Sequence, residues 1–165
     1  MAKRVTKPAT ATPDRELDAQ LLRRRKFFQG RGIRGADVLD IAWLDPAGAE
    51  MTDEMWNAPD VRTLGVRLNG DAIQEVNERG ERIVGDTLLL MLNGGPEPMA
   101  FVLPPTAAIE RWDTLLDTAH PWLPSRRLRA GDRYDLQGRS MAVLRLNNRK
   151  DDLRRSNDWG PQGVV

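Results

Sequence analysis

Residues 87–93 read Thr-Leu-Leu-Leu-Met-Leu-Asn, and this short apolar run constrains the chain more than any other stretch. It is bounded by turn residues and apolar at odd and even positions alike. A strand of this kind must be covered on both faces, which predicts a place in the middle of a sheet. Asn93-Gly94-Gly95-Pro96 then turns the chain. Met99, Phe101 and Leu103 alternate along the next run, and Pro104-Pro105 ends it because proline has no N–H to give to a ladder. The two runs are predicted to pair as an antiparallel hairpin.

Further strands follow the same logic. Leu64, Val66 and Leu68 alternate with small or polar neighbours, as on a strand with one wet face. Asn69-Gly70 is a turn pair, but residues 71–86 are rich in charge and offer little to a core, so a long surface loop is expected there. In residues 111–117 Trp112, Thr114 and Leu116 fall on one side of a predicted strand. Gly131 and Gly138 bracket a short strand around Tyr134, and residues 141–146 are expected to close the sheet. With no helical run after residue 57, the predicted class is mainly β, an antiparallel β-sandwich or open barrel over residues 60–147.

Upstream, residues 1–13 hold almost nothing to bury and read as a disordered leader. Leu17, Leu21 and Leu22 recur at helical spacing within residues 14–29, with Asp14 and Glu16 early and Arg23 to Lys26 late, as the helix dipole favours. Residues 30–59 are expected to form a linker. It contains an apolar run, Ile41 to Leu44, broken at Asp45-Pro46-Ala47-Gly48, and then a single helical turn capped by Thr52 and opened by Asp53 and Glu54. Trp43 and Trp56 flank this turn and are expected to pack together. The charged residues 148–165 read as a disordered tail.

The chain has 165 residues and no cysteine, so neither a disulfide nor a thiolate site is available, and a reducing cytoplasm is the natural setting. No apolar run reaches the roughly 20 residues that span a membrane, and no membrane partner is expected. The net charge of +1 conceals segregation: residues 1–34 carry ten basic and three acidic side chains, residues 35–120 five and sixteen, residues 121–165 ten and five. These basic ends read as solvated arginines rather than as a nucleic-acid surface.

Several phrases carry a resemblance. Arg24-Arg25-Lys26-Phe27-Phe28-Gln29-Gly30, Asp40-Ile41-Ala42-Trp43, Gly48-Ala49-Glu50-Met51 followed by Trp56, the run from Asp86 to Asn93 with Phe101-Val102-Leu103-Pro104, Trp112-Asp113-Thr114-Leu115-Leu116-Asp117-Thr118, and Tyr134-Asp135-Leu136-Gln137-Gly138-Arg139-Ser140 together resemble bacterial isoamylase-type glycogen debranching enzymes of the alpha-amylase superfamily. The resemblance covers about residues 20–146. It implies that residues 14–29 match the last helix of a catalytic barrel and that the linker joins this barrel to a C-terminal sandwich. It further implies a parent activity, hydrolysis of α-1,6 branches in glycogen. A barrel of eight strand-helix units needs about 250 residues, so the chain is expected to lack it and to be inactive alone.

No catalytic residue carries over. The family's Gly-Phe-Arg-x-Asp and His-Asp phrases are absent, and the single histidine, His120, precedes Pro121 and reads as a loop residue beside a buried Trp122. Asp37, Asp40, Asp45, Glu50, Asp53 and Glu54 miss the spacing of a calcium loop and read as solvated turn and cap residues; no metal and no cofactor is expected. The glycines of Gly30-Arg31-Gly32-Ile33-Arg34-Gly35 follow no strand and open no helix, so they are no dinucleotide fingerprint. Sugar rings stack on exposed aromatic faces, and Trp43, Trp56 and Trp122, all on turns, are the expected α-glucan platforms. Leu17, Leu21, Leu22 and Phe27 form an apolar stripe that needs a partner surface, for which the resemblance supplies a catalytic barrel domain or subunit. The alternative is a stand-alone glucan-binding or protein-interaction sandwich.

Overall fold

The computed structural model describes residues 39–70, 80, 85–107 and 110–148. The expected leader, the helix over residues 14–29, most of the loop over residues 71–86 and nearly all of the tail lie outside these residues. Eight strands and one helical turn follow in order: β1 (Ile41–Leu44), α1 (Asp53–Asn57), β2 (Thr63–Leu68), β3 (Leu88–Asn93), β4 (Met99–Val102), β5 (Glu110–Asp117), β6 (Arg127–Leu128), β7 (Arg133–Leu136) and β8 (Ser140–Asn148). Six form one antiparallel sheet in the order β1-β2-β3-β8-β5-β6, and β4 pairs with β7 in a second layer. The two layers make an antiparallel sandwich, the predicted class.

The apolar run of β3 does lie inside the sheet. Its two edges are occupied by β2, with Leu68 opposite Leu88, and by β8, with Leu92 opposite Met141. That occupancy overturns the expected β3–β4 hairpin. The chain turns a corner at Asn93, whose buried amide donates to the carbonyls of Glu97 (2.8 Å) and Gln137 (3.1 Å) and accepts from the Gly95 amide (3.0 Å). β4 therefore leaves the first sheet and pairs with β7, placing Phe101 opposite Tyr134. Residues 141–146 likewise do not close the sheet, because β8 sits between β3 and β5. The linker expected over residues 30–59 supplies the edge strand β1, paired with β2 from Ile41–Leu68 to Leu44–Gly65.

The main core lies between the layers. Leu89 and Met91 of β3, Ala142 and Leu144 of β8 and Trp112 of β5 face Phe101, Tyr134 and Leu136 of the small sheet, with Leu103 and Leu44 at the margins. Trp112 is fully buried. A second apolar cluster, Val66, Leu68 and Leu88 with Ile41, Leu64, Leu90 and Leu115, occupies the outer face of the large sheet. Both faces of the large sheet are thus apolar, which explains why β3 shows no alternation. A bulge between Thr114 and Leu116 breaks the period of β5. Leu116 therefore leaves the side held by Trp112 and Thr114 and is exposed, contrary to the expected alternation.

The turn after β1 ties the two layers. The Val102 amide donates to the Pro46 carbonyl (2.8 Å), and Gly48 has a φ of 80° with the Val102 carbonyl 2.6 Å from where a Cβ would stand. Only glycine meets both conditions. Gly48→Ala is expected to lower stability by about 1–3 kcal/mol through backbone strain, measured by urea unfolding; an unchanged midpoint would show that the turn does not press on β4.

Candidate functional site

Two places bring the sequence-selected residues into a definable geometry. The first is the turn from β1 to α1. Asp45, expected as a solvated acid, is instead buried and closes its own turn: its Oδ1 accepts from the Ala49 amide (2.9 Å) and its carbonyl from the Gly48 amide (3.0 Å). Thr52 caps α1 as expected, its hydroxyl accepting from the Met55 amide (3.4 Å). The Met51 amide donates to the Trp43 carbonyl (2.9 Å), which folds α1 back over β1. Trp43 and Trp56 meet edge to face with ring centroids 5.6 Å apart, as expected for flanking indoles. Both remain partly open, 40% and 49% exposed, so the pair offers indole surface at the sheet edge.

The second place lies at the far end of β5, where a loop over residues 118–126 joins β6. Thr114, Asp117, His120, Leu123, Pro124, Arg126, Tyr134 and Asp135 line a shallow recess of about 90 Å³ there. Asp117 organises it. Its Oδ1 accepts from the amides of Ala119 (2.9 Å) and His120 (3.2 Å), while its Oδ2 accepts from the Tyr134 hydroxyl (2.8 Å) and faces His120 Nδ1 at 3.4 Å. The Ser125 hydroxyl donates to the Thr114 carbonyl (2.7 Å), pinning the other end of the loop.

The electrostatics follow from this geometry. Burial alone would push the Asp117 carboxyl up, but hydrogen bonds from Tyr134, the Ala119 amide and His120 outweigh it and hold the group below the usual aspartate range. Burial and the hydrogen bond to Asp117 push the Tyr134 phenol well above its ordinary value. The Arg126 guanidinium lies 5.9 Å over the Tyr134 ring. A carboxylate held ionised by several donors is an anchor. It is poorly suited to general-acid chemistry, which needs a raised pKa.

His120 is a loop residue, as expected, but its neighbour Trp122 is not buried: the indole is 94% exposed on the same loop. The expected aromatic platforms thus fall into two groups, Trp43 with Trp56 at the β1 edge and Trp122 at the β5–β6 loop. Trp112 belongs to the core. The recess went unrecognised in the sequence because Asp117 and Tyr134 are 17 residues apart and on different sheets. Their one signal in the sequence is that both lie within the phrases that carry the resemblance to the debranching enzymes. Leu17, Leu21, Leu22 and Phe27 lie outside the described residues. Among the described residues no group of three or more His, Cys, Asp or Glu side chains could hold a metal, and no helix is long and apolar enough to cross a membrane.

The expected turn positions hold for Trp122 alone, since Trp43 lies in β1 and Trp56 in α1; the β-sandwich carries these exposed indoles and, among the described residues, a polar recess built around an anchoring carboxylate. Residues 40–145 match the family described as isoamylase, C-terminal, and the chain belongs to that family. The matched range coincides with the sheet, which runs from Ile41 to Asn148. Over 128 residues the chain is also 41% identical to the glycogen operon protein GlgX homolog of Mycobacterium bovis, and equally to those of two Mycobacterium tuberculosis strains. The aligned part is 76% of this chain but 18% of each relative, so the chain spans less than a fifth of their length.

Proposed function

We propose that this chain acts as the C-terminal accessory domain of a glycogen-debranching glycosidase, working beside a catalytic barrel that hydrolyses α-1,6 branches in the cytoplasm. By itself the chain hydrolyses nothing. The observation that carries this reading is the match of residues 40–145 to the isoamylase C-terminal family, together with relatives named for the glycogen operon. Glycoside hydrolysis needs two carboxyl groups flanking a scissile bond, one of them able to give up a proton at working pH. Asp117, the best-organised carboxyl of the recess, is held in the ionised form and has its lone pairs engaged.

The domain's contribution is to hold α-glucan near the barrel. Trp122 is the favoured platform, since a 94% exposed indole leaves a whole face for a sugar ring. Trp43 and Trp56 spend one face or edge on each other. The test is titration of the purified chain with maltooligosaccharides while following indole fluorescence, and incubation with glycogen and pullulan while assaying reducing ends. Quenching at millimolar sugar that disappears in Trp122→Ala, with no reducing sugar released, is the expected result. Turnover that survives repurification overturns the accessory reading, and an unchanged spectrum overturns the glucan platform. The exposure of Trp122 also favours a second reading, a glucan-binding sandwich acting without a barrel. That reading gains if binding is full strength in the isolated chain.

A further inference from the structure

The recess beside Asp117 is closed on its inner side. Its two buried lining residues, Thr114 of β5 and Tyr134 of β7, back onto the core, while His120, Arg126 and Asp135 stand exposed at its rim. Leu123 and Pro124 add apolar wall from the loop. A cavity of about 150 Å³ admits a whole benzene ring. At about 90 Å³ this recess admits the edge of one six-membered ring and lets no chain pass through.

The rim decides what that edge must carry. Asp117 has its oxygens taken by the Ala119 and His120 amides, the Tyr134 hydroxyl and His120 Nδ1, so it shapes the wall and has little left for a ligand. His120, turned to Asp117 through Nδ1, keeps Nε2 for an incoming group. Asp135 offers an acceptor, and the Arg126 guanidinium, seated 5.9 Å over the Tyr134 ring, offers donors. Two carboxylates repel an anion, and the guanidinium repels a cation. A neutral group that both donates and accepts suits this set, and neighbouring hydroxyls on a sugar ring are such a group.

We propose that the recess receives the non-reducing terminal glucosyl residue of an α-glucan, with Asp135 and Arg126 binding its neighbouring 3- and 4-hydroxyls and Trp122 stacking a ring further along the chain. The proposal rests on the α-glucan reading above and adds which part of the glucan is read. In an interior residue the 4-oxygen is tied into a linkage and the chain runs on at both sides, which a closed recess does not accept. The reducing end interconverts between anomers, whereas the non-reducing end presents one fixed pair of hydroxyls. Trp122 stands between His120 and Leu123 in the loop, yet its indole is not part of the lining; at 94% exposure it is left for a residue outside the recess.

The test is titration of the full chain with maltohexaose and with α-cyclodextrin, which has as many glucosyl residues in a closed ring and no chain end. Maltohexaose is expected to bind about tenfold more tightly, the scale of a hydrogen bond to a charged group. Asp135→Ala is expected to bring it down to the level of the cyclodextrin with the urea midpoint unmoved, and reduction of its far end to the alditol to leave its affinity unchanged. Equal affinity for chain and ring, an Asp135→Ala variant that binds as the parent does, or loss of binding on reduction overturns the proposal. Equal affinities that vanish in Trp122→Ala overturn chain-end recognition and leave the glucan platform standing, whereas no binding of either sugar overturns both.

Discussion

Trp112→Ala is expected to destabilise the domain by about 3–5 kcal/mol, the range for deleting a large aromatic from a packed core. Trp112 is fully buried where the two layers meet, opposite Leu146 of β8 and Leu128 of β6. Its indole N–H reaches the Pro104 carbonyl at 3.4 Å, and the Arg67 guanidinium lies 6.0 Å from the ring centre. Burial has pushed the Arg67 pKa down, a sign that the cation has given up water to sit there. Removing the indole opens a cavity and strips the ring from beneath that cation. Since domains of this size hold on the order of 5–15 kcal/mol in all, the variant should unfold at markedly lower urea. Trp112→Phe keeps most of the volume and should lose less than half as much. Equal losses for the two would mean that the hydrogen bond to Pro104, rather than the packing, carries the effect.

Asp117→Ala comes next, at about 2–4 kcal/mol, because it leaves the half-buried Tyr134 hydroxyl and two loop amides without their acceptor. Asp135→Ala, exposed in the same recess, should stay within about 0.5 kcal/mol of the parent. The pH profile separates the roles of the two hydrogen-bonded groups. The folded carboxyl of Asp117 holds its proton less tightly than the unfolded one. Its contribution is therefore complete above the unfolded value, about 4, and is lost as pH falls through the lower folded value. The folded phenol of Tyr134 keeps its proton longer than the unfolded one. Stability should thus fall as pH rises beyond about 10. Tyr134→Phe should flatten the alkaline limb, and Asp117→Asn the acid limb. An acid limb unchanged in Asp117→Asn would remove Asp117 as the anchor of the loop.

How much of this was legible in the sequence depends on the range over which each feature is decided. Turn chemistry is local, and the break at Asp45-Pro46-Ala47-Gly48, the Thr52 cap and the short strand between Gly131 and Gly138 all stand in the structure. The β class and the central place of β3 were legible from its two-sided apolar run. Partner choice was not. The expected β3–β4 hairpin fails because β8, some 50 residues later, takes the free edge of β3, and no local pattern records which of two apolar strands will win an edge. The bulge at Leu115 was invisible for a related reason: one inserted residue turns Leu116 outward, though it occupies the position where unbroken alternation would bury it.

The site divides along the same line. Trp43 and Trp56 are joined by a short turn, so their contact follows from local geometry. Trp122 was placed beside His120 as a buried residue, and the structure exposes it, since burial depends on what packs above a loop and the loop's own residues do not specify that. The recess between Asp117 and Tyr134 required the pairing of the two sheets to be known first.

The ends of the large sheet have one more consequence. Among the described residues its outermost strands are the four-residue β1 and the two-residue β6, and the apolar strands β3 and β8 are paired on both sides. β1 is further guarded by the turn that folds α1 back over it, and β6 by Arg127 ion-paired to Asp113 at 2.9 Å. Short, obstructed margins of this kind give another chain little backbone to pair with. The apolar runs of β3 and β8 are thus kept from serving as templates for another chain's strand.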